Sequence, residues 1–216
     1  MKRITKTNPP ESLRKWVTEN RDIENSSYRS LPTNVKEELK AYLLKEQHFL
    51  CAYLGISICN SSSHIEHLKP QSKCEDGEDV EYRNLVACYP NDGGNDSFNC
   101  GAPFKKSWWD PGKFVSPLLE DCERRFSFAW SGHIHPTLNN DEAAQETINK
   151  IGLDADYIRK LRRKAIVGFF GLNEKKPVSK KQLATLVSYL DKPNAEGKLI
   201  AFCFVLKFLA TRMLAK

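Results

Sequence analysis

The chain lacks any long apolar run. Its most apolar stretch, residues 199–206, is eight residues long and is followed by Lys207, whereas a membrane-spanning helix needs about 20 such residues. The opening Met1-Lys2-Arg3 leads into polar sequence, not into the apolar centre of an export signal. These absences exclude a membrane span and predict a cytoplasmic protein. The seven cysteines are therefore expected to be reduced, as metal ligands or core residues.

Paired cysteines of the Cys-x-x-Cys type are also missing. A zinc knuckle usually takes two cysteines from such a motif, but here Leu54 stands where the partner of Cys51 would be. The sequence offers single thiols instead, namely Cys51, Cys88 and Cys100, with Cys59 or Cys74 as a fourth ligand. Two interpretations stay open, a structural zinc ion and thiols that pack as small apolar residues.

Charge is distributed unevenly along the chain. Residues 155–216 contain 14 Lys and Arg against 4 Asp and Glu, a net +10, so residues 1–154 carry −4 of the total of +6. A basic region suits a polyanionic partner such as nucleic acid, although solvated helix faces are the other interpretation. The strongest candidates concentrate positive charge on one predicted helix: Arg159, Lys160, Arg162 and Arg163.

The hydrophobic pattern predicts an α+β protein in three parts. Residues 1–48 form an N-terminal arm and helix, residues 49–138 a core with a β-hairpin, and residues 139–216 a basic helical region. Residues 71–81 contain five acidic residues and are predicted to form an exposed loop. The predicted helices cover 11–18, 33–48, a short stretch within 95–106, 141–151, 154–169, 179–190 and 194–214, and the predicted strands cover 64–68, 84–88 and a hairpin within 125–137. Helix N-caps are expected at Thr33 or Asn34, at Asp154 and at Ser179.

The residues with the clearest chemistry lie in one heptapeptide. Residues 64–70 read His-Ile-Glu-His-Leu-Lys-Pro, and Asn84 follows at the start of the next strand. A carboxylate is a suitable ligand for a hard ion such as Mg²⁺, and histidine is a general base near neutral pH. We therefore expect Glu66 to bind metal, His67 to act as the base, and Asn84 to hold the intervening loop. His64, two residues before Glu66, lies on the same strand face and is a second ligand or a phosphate contact.

These motifs resemble those of HNH endonucleases of the PtuB type, the nuclease components of Septu anti-phage defence systems, including retron-associated versions. The resemblance runs from the N-terminal arm to the hairpin near residue 135, and rests on residues 46–53, 64–70 and 82–85 together with Cys88 and Cys100. It implies a ββα-metal fold and nucleic-acid cleavage with Mg²⁺ or Mn²⁺. It also implies a PtuA-type ATPase partner and, in retron versions, a reverse transcriptase with its DNA–RNA hybrid. By the motif match, Glu66 takes the metal position, His67 the base position and Asn84 that of the central asparagine.

The sequence departs from that family pattern in two places. Leu54 replaces a knuckle cysteine, and Gly101 stands where HNH enzymes usually place their last metal ligand, so Asp96 or Asn99 would have to serve. Lys69, Lys105 and Lys106 are candidate nucleic-acid contacts. The rival interpretation is a non-cleaving nucleic-acid-binding or scaffold subunit that retains a degraded HNH shell. The choice between DNA and RNA stays open.

Overall fold

The structure is a computed structural model that describes residues 1–20, 27–94, 98–171 and 180–215. Within these ranges the protein is α+β, with seven α-helices and two small antiparallel sheets of two strands each. The helices are α1 (Glu11–Glu19), α2 (Thr33–Glu46), α3 (Ala102–Lys105), α4 (Glu142–Ile151), α5 (Asp156–Phe170), α6 (Lys180–Leu190) and α7 (Cys203–Leu214). None of these helices has the length and apolarity needed to cross a membrane.

The two sheets are hairpins with regular antiparallel pairing. In the first, β1 (His64–His67) pairs with β2 (Leu85–Cys88), so that His64 lies opposite Cys88 and His67 opposite Leu85. In the second, β3 (Phe126–Phe128) pairs with β4 (Ile134–Pro136). Both hairpins lie where the sequence predicts strands, the second from the alternation of apolar and polar residues and β2 from a run of small and branched apolar residues.

Helix α2 packs against strand β2 of the first hairpin. The predicted stripe of apolar residues is buried: Val35, Leu39, Leu43 and Leu44. Just past the helix, the Gln47 side chain donates to the Leu50 and Ala87 carbonyls at 2.8 Å and accepts from the Ala87 amide at 2.7 Å. This buried amide fixes the end of α2 to β2. The predicted cap was wrong, because the helix begins after Pro32 and no side chain caps it.

The buried Lys6 side chain fastens the N-terminal arm both to α2, by an ion pair, and to the first hairpin, by a hydrogen bond. Lys6 Nζ lies 3.0 Å from Glu46 Oε1 and donates to the Leu85 carbonyl at 2.6 Å, with both charged side chains 3% exposed. Met1 and Ile4 are also buried. Buried apolar residues from all three predicted segments belong to one hydrophobic cluster.

The loop between the strands of the first hairpin differs from its prediction. It contains three short 3-10 turns, Gln71–Lys73, Glu78–Val80 and Tyr82–Asn84, and Asp79 and Val80 are buried. The loop was expected to be exposed because it is rich in acidic residues. The structure instead folds part of it back onto β1, where the Asp79 carbonyl accepts a hydrogen bond from His67.

The C-terminal helices were predicted in the right order, with two errors at their starts. Helix α7 begins at Cys203, not at Asn194, because the Asn194 side chain accepts from the Glu196 and Lys198 amides and closes a turn. Asp154 does not cap α5; it bonds His133 and the Ile134 amide across the chain. Asp141 caps α4 through the Ala144 amide. The expected cap at Ser179 lies outside the described residues.

Candidate functional site

Strand β1 presents His64 and Glu66 on one face, because alternate residues of a strand share a face. This face borders a cavity of about 270 Å³, which we call the Glu66 cavity. It is lined by His64, Glu66, the loop of residues 90–94, and Ala102, Pro103 and Lys106 of the α3 region. The hairpin and α3 therefore bring a carboxylate, an imidazole and an exposed ammonium group to one opening.

A buried lysine holds the Glu66 carboxylate. Lys105 Nζ donates to Glu66 Oε1 at 3.1 Å and to the His67 carbonyl at 3.1 Å, and its side chain is fully buried. The Tyr53 hydroxyl also approaches Oε1, at 3.5 Å. This burial corrects the prediction that Lys105 contacts nucleic acid, since its ammonium group is enclosed by the protein's own oxygen atoms. Oxygen Oε2 of Glu66 is directed instead at His64.

His64 is oriented by a backbone carbonyl. Its Nδ1 is hydrogen-bonded to the Pro90 carbonyl, and because a carbonyl only accepts, Nδ1 must carry the proton. Nitrogen Nε2 then faces Glu66 Oε2 at 3.6 Å. Burial acts to lower the pKa of His64, but the nearby Glu66 carboxylate and the Pro90 carbonyl outweigh it and leave the pKa raised. The raised pKa favours the protonated ring, whose second proton lies on Nε2 and faces Glu66 Oε2.

The donor atoms of the His64–Glu66 pair suit a divalent ion, although they are further apart than two adjacent ligands. Ligands about 2.1 Å from one octahedral ion lie about 3.0 Å apart when adjacent and about 4.2 Å apart when opposite, so the separation of 3.6 Å would have to shorten by about 0.6 Å when an ion binds. Metal-bound histidines commonly donate their other ring N–H to a backbone carbonyl, as His64 does to Pro90. Mg²⁺ usually takes only one or two protein carboxylates and completes its shell with water and substrate phosphate.

Among the described residues, no third His, Cys, Asp or Glu side chain completes a metal-binding group with this pair, although Asp92 also lines the Glu66 cavity. Asn99 lines a different cavity from Glu66, beside Gly152, so the geometry gives no support to its predicted role as a ligand. Asp96, the other candidate, lies outside the described residues.

His67 lies on the opposite strand face from Glu66 and is only 7% exposed. Its Nε2 donates to the Asp79 carbonyl at 2.9 Å, which leaves Nδ1 unprotonated in the neutral ring. Burial lowers the pKa of His67, so the ring is neutral at pH 7, as a general base must be. The structure does not bring this ring to the wall of the Glu66 cavity.

Tyr28 covers the His67 ring. The two rings meet edge to face with centroids 4.7 Å apart, and the Tyr28 amide donates to Asp79 Oδ2 at 2.8 Å. Burial and, to a smaller extent, Asp92 raise the pKa of Tyr28 to about 12. Nothing in the local sequence around Tyr28 predicts its contact with His67.

Asn84 ties together the two ends of the loop that carries Asp79. Its side chain accepts from the Lys69 amide at 2.7 Å and donates to the carbonyls of Lys69 and Glu78 at 3.1 and 3.2 Å. These are the backbone hydrogen bonds that the sequence predicted for Asn84, and they are confirmed. Its part in catalysis stays a prediction.

The candidate zinc ligands do not converge. No three of Cys51, Cys59, Cys88 and Cys100 form a metal-binding group. Cys59 is exposed and contacts Ser61 and Ser62, and Cys74 bonds the Lys69 carbonyl. Leu54 is buried against Gly101, where an added Cβ would meet Leu54 Cδ1 at 3.2 Å.

Cys51 and Cys88 form a buried pair of thiols. Burial acts to raise the pKa of Cys51, but hydrogen bonds from the Cys88 thiol and from backbone amides, including that of Tyr89, lower it to about 7. Burial and the bond to Cys51 raise the pKa of Cys88. The two thiols are therefore hydrogen-bonded to each other, and Leu54, which stands at the position of the missing cysteine, packs on Gly101.

We expect the purified protein to contain well below one zinc ion per chain, and a zinc chelator to leave its melting temperature unchanged. The reason is that Leu54, which stands where the paired motif would have its second cysteine, packs on Gly101 and offers no ligand atom. Elemental analysis and thermal melting measure both quantities. Leu54→Cys, which restores the paired motif, is the comparison, and zinc in that variant alone locates the cause at residue 54. One zinc ion per wild-type chain would contradict the packing described for this region.

The basic run on α5 is split between surface and interior. Arg162 is 3% exposed; it donates from Nη2 to the Leu153 carbonyl at 2.7 Å and from Nη1 to the Gly132 carbonyl. Burial lowers its pKa to about 10. This corrects the prediction that Arg162 binds nucleic acid. Arg163 is exposed, and Arg159 and Lys160 pair with Asp156 near the start of the helix.

The adjacent arginines of α5 are expected to behave differently. Arg162→Met should lower the free energy of unfolding by about 2–4 kcal/mol, because two buried carbonyls lose their donors. Arg163→Ala should change the free energy of unfolding by less than about 0.5 kcal/mol. If the exposed face of α5 contacts a phosphate backbone, the same variant should bind nucleic acid more weakly, and the salt dependence of binding should fall by about one counterion. Urea unfolding and binding titrations at several salt concentrations measure these effects. Equal stability losses in the two variants would contradict the assignment.

The two remaining candidate lysines differ in the charge that they offer. Lys69 pairs with Glu78, so its charge is compensated within the loop. Lys106 is exposed and lines the Glu66 cavity, where its ammonium group is accessible to a phosphate. The sequence could not distinguish Lys105 from Lys106, since adjacent lysines carry no signal that one of them is buried.

Comparison with protein-family models finds none that matches this chain, and no curated protein is significantly similar to it. The resemblance to PtuB-type HNH endonucleases therefore rests on the motifs of this sequence alone.

Proposed function

We propose that this protein is an endonuclease of the HNH type, which hydrolyses phosphodiester bonds of nucleic acid with Mg²⁺ or Mn²⁺ at the Glu66 cavity. The observation that carries the proposal is the geometry of His64 and Glu66. Nδ1 of His64 is committed to the Pro90 carbonyl, and Nε2 and Glu66 Oε2 face each other at 3.6 Å beside an open cavity. The hairpin followed by α3 supports the ββα-metal interpretation of this site.

In this proposal the chain's own residues have distinct roles. Glu66 Oε2 and His64 Nε2 would hold the ion, and Lys105 keeps the carboxylate in place through Oε1. When bound, such an ion neutralises charge on the phosphoryl oxygens and lowers the pKa of a bound water. Lys106 attracts the phosphate from the rim of the cavity. By the motif match His67 would be the base, and its Nδ1 would take the proton because Nε2 is committed to Asp79; the ring would first have to move to the Glu66 cavity, whose wall it does not form.

The family resemblance extends the proposal to the setting of the reaction. By this resemblance the protein would act in the cytoplasm of a bacterium, in an anti-phage defence complex with a PtuA-type ATPase. In a retron version, a reverse transcriptase and its DNA–RNA hybrid would also take part. These partners are proposed from the motifs that carry the resemblance, residues 46–53, 64–70 and 82–85 with Cys88 and Cys100.

A second candidate function is a non-cleaving nucleic-acid-binding or scaffold subunit with a degraded HNH shell. It is favoured by the burial of His67, whose ring is 7% exposed and covered by Tyr28. Tyr28→Ala separates the two functions. It should raise the rate of cleavage if Tyr28 shields a working base, and it should leave a non-cleaving protein inactive.

The test is a cleavage assay with Mg²⁺ or Mn²⁺ on duplex DNA, single-stranded DNA and transfer RNA. Wild type should cleave at least one of these polymers, whereas His64→Ala and His67→Ala should not. His135→Ala, which removes an exposed histidine from β4, should cleave as wild type does. If the isolated chain is inactive, the assay is repeated with the ATPase partner. Inactivity in that complex as well would reject the nuclease in favour of the non-cleaving subunit.

A further inference from the structure

Helix α3 separates the Glu66 cavity from a second, larger cavity. Ala102 and Pro103 line the Glu66 cavity, whereas Phe104, the next residue, lines a cavity of about 590 Å³. This volume lies within the range of small-molecule sites. We call it the aromatic cavity, and Asn99, Asn149 and Tyr157 also line it. Because one turn of helix contacts both cavities, a single ligand chain can reach from one to the other.

The walls of the aromatic cavity offer aromatic faces. Phe98 and Tyr157 stack with their ring centroids 3.8 Å apart and their planes 12° from parallel. Phe104 is 37% exposed although it is a large apolar side chain. Stacking of a base on an aromatic side chain contributes about 1–3 kcal/mol to single-strand binding and tolerates any base, since every base has a π-face.

The polar groups of this cavity suit the edge of a base better than a phosphate. Asn99 and Asn149 carry amides, each with a donor and an acceptor group. Asp154 and Asp156 also line the cavity; both are paired within the protein, and the described residues of the lining include no Lys or Arg that would attract a phosphate. The amides of Asn99 and Asn149 can accept from and donate to the amino and ring-nitrogen groups of bases. The cations that pair with Asp156 lie one turn further along α5, outside the lining.

We propose that the aromatic cavity binds one unpaired nucleobase of the substrate, while the Glu66 cavity takes a neighbouring phosphate. This inference rests on the proposed nuclease function and specifies its substrate. A base inside a duplex is stacked and paired, so it reaches such a cavity only from a single strand or after being flipped out of the helix. The preferred substrate is therefore single-stranded or locally unpaired nucleic acid.

The test measures binding of short, fluorescently labelled single-stranded oligonucleotides without divalent ions, so that no cleavage occurs. A series of oligonucleotides has one base removed at each position in turn while every phosphate is kept. Wild type should lose affinity by about 5- to 150-fold when one particular base is missing, which is the fold-change that corresponds to stacking of one base. The Phe104→Ala variant should bind the intact oligonucleotide more weakly than wild type by a similar factor. Removal of that particular base from the oligonucleotide should not weaken the binding of this variant any further.

Two further variants control this measurement. Trp130→Ala removes an aromatic side chain of nearly equal exposure, 38%, that packs on Phe170, and it should bind as wild type does. Asn149→Leu replaces an exposed amide of the cavity, and it should change which base is preferred while the stacked rings remain. Thermal melts confirm that each variant is folded.

The possible outcomes separate this inference from the nuclease proposal. Affinity that is insensitive to every base removal, or to Phe104→Ala, overturns the base site even if wild type cleaves nucleic acid. Base-dependent binding without cleavage, alone or with the ATPase partner, supports the base site and rejects the nuclease. A wild-type protein that binds no single strand overturns the base site, whereas the nuclease proposal is then decided by the cleavage assay on duplex DNA.

Discussion

His64→Ala is expected to lower the affinity for Mn²⁺ by at least about 100-fold and to abolish metal-dependent cleavage. Loss of a group that merely orients a metal ligand already costs about 10- to 100-fold in affinity, and His64 is proposed to bind the ion directly. Without it, Glu66 Oε2 is the one proposed protein ligand left beside the cavity. Electron paramagnetic resonance of a Mn²⁺ titration measures the affinity.

The matched control for this substitution is His135→Ala. His135 is an exposed histidine of β4 that stacks on His133 and does not line the Glu66 cavity. Its loss should leave Mn²⁺ affinity and cleavage unchanged. His64 is also a cleaner probe than Glu66, because removal of the carboxylate would leave the buried Lys105 ammonium without its partner. Equal Mn²⁺ affinities in wild type and His64→Ala would contradict the proposed site.

Lys105→Met is expected to lower the free energy of unfolding by about 3 kcal/mol. Breaking a buried ion pair from one side leaves the other charge uncompensated, which typically costs about 3–5 kcal/mol. The lower end applies here because the Glu66 side chain is 17% exposed and keeps some contact with water. For a chain of 216 residues, this corresponds to a fall in melting temperature of about 6–12 °C. Thermal and urea unfolding measure both quantities.

The neighbouring Lys106→Met is the control, since Lys106 is exposed and its replacement should change stability by less than about 0.5 kcal/mol. Replacing both Lys105 by Met and Glu66 by Gln should recover much of the loss, because neither charge is then left alone. Mn²⁺ should also stabilise Lys105→Met more than wild type, since the unpaired carboxylate binds a cation more readily. Identical melting temperatures for the two lysine variants would contradict the burial of Lys105.

Much of the fold could be predicted because local patterns determine it. The stripe from Val35 to Leu44 has helical spacing, and the alternation around residues 126–136 has strand spacing; the structure contains both elements. The start of α7 could not be predicted in this way. Residues 194–202 are compatible with a helix by composition, but the Asn194 side chain closes a turn and the Leu199 amide donates to the distant His48 carbonyl.

The candidate site shows the same division between local and long-range information. That His64 and Glu66 share a face follows from the two-residue period of a strand. The burial of Lys105 and Arg162 depends on Glu66 and on the Gly132 carbonyl, which are 39 and 30 positions away in the chain. At these positions the sequence shows only positive charge, which predicts contacts at the surface. In the structure both side chains are buried and donate hydrogen bonds within the protein.

The most direct test of the proposed site is the position of a bound Mn²⁺ ion, determined from anomalous scattering of crystals grown with Mn²⁺ and a non-cleavable oligonucleotide. The account predicts a peak about 2.0–2.2 Å from both Glu66 Oε2 and His64 Nε2, with Lys105 Nζ still bonded to Glu66 Oε1. No peak at the Glu66 cavity, or a peak that contacts neither of these two atoms, would contradict it.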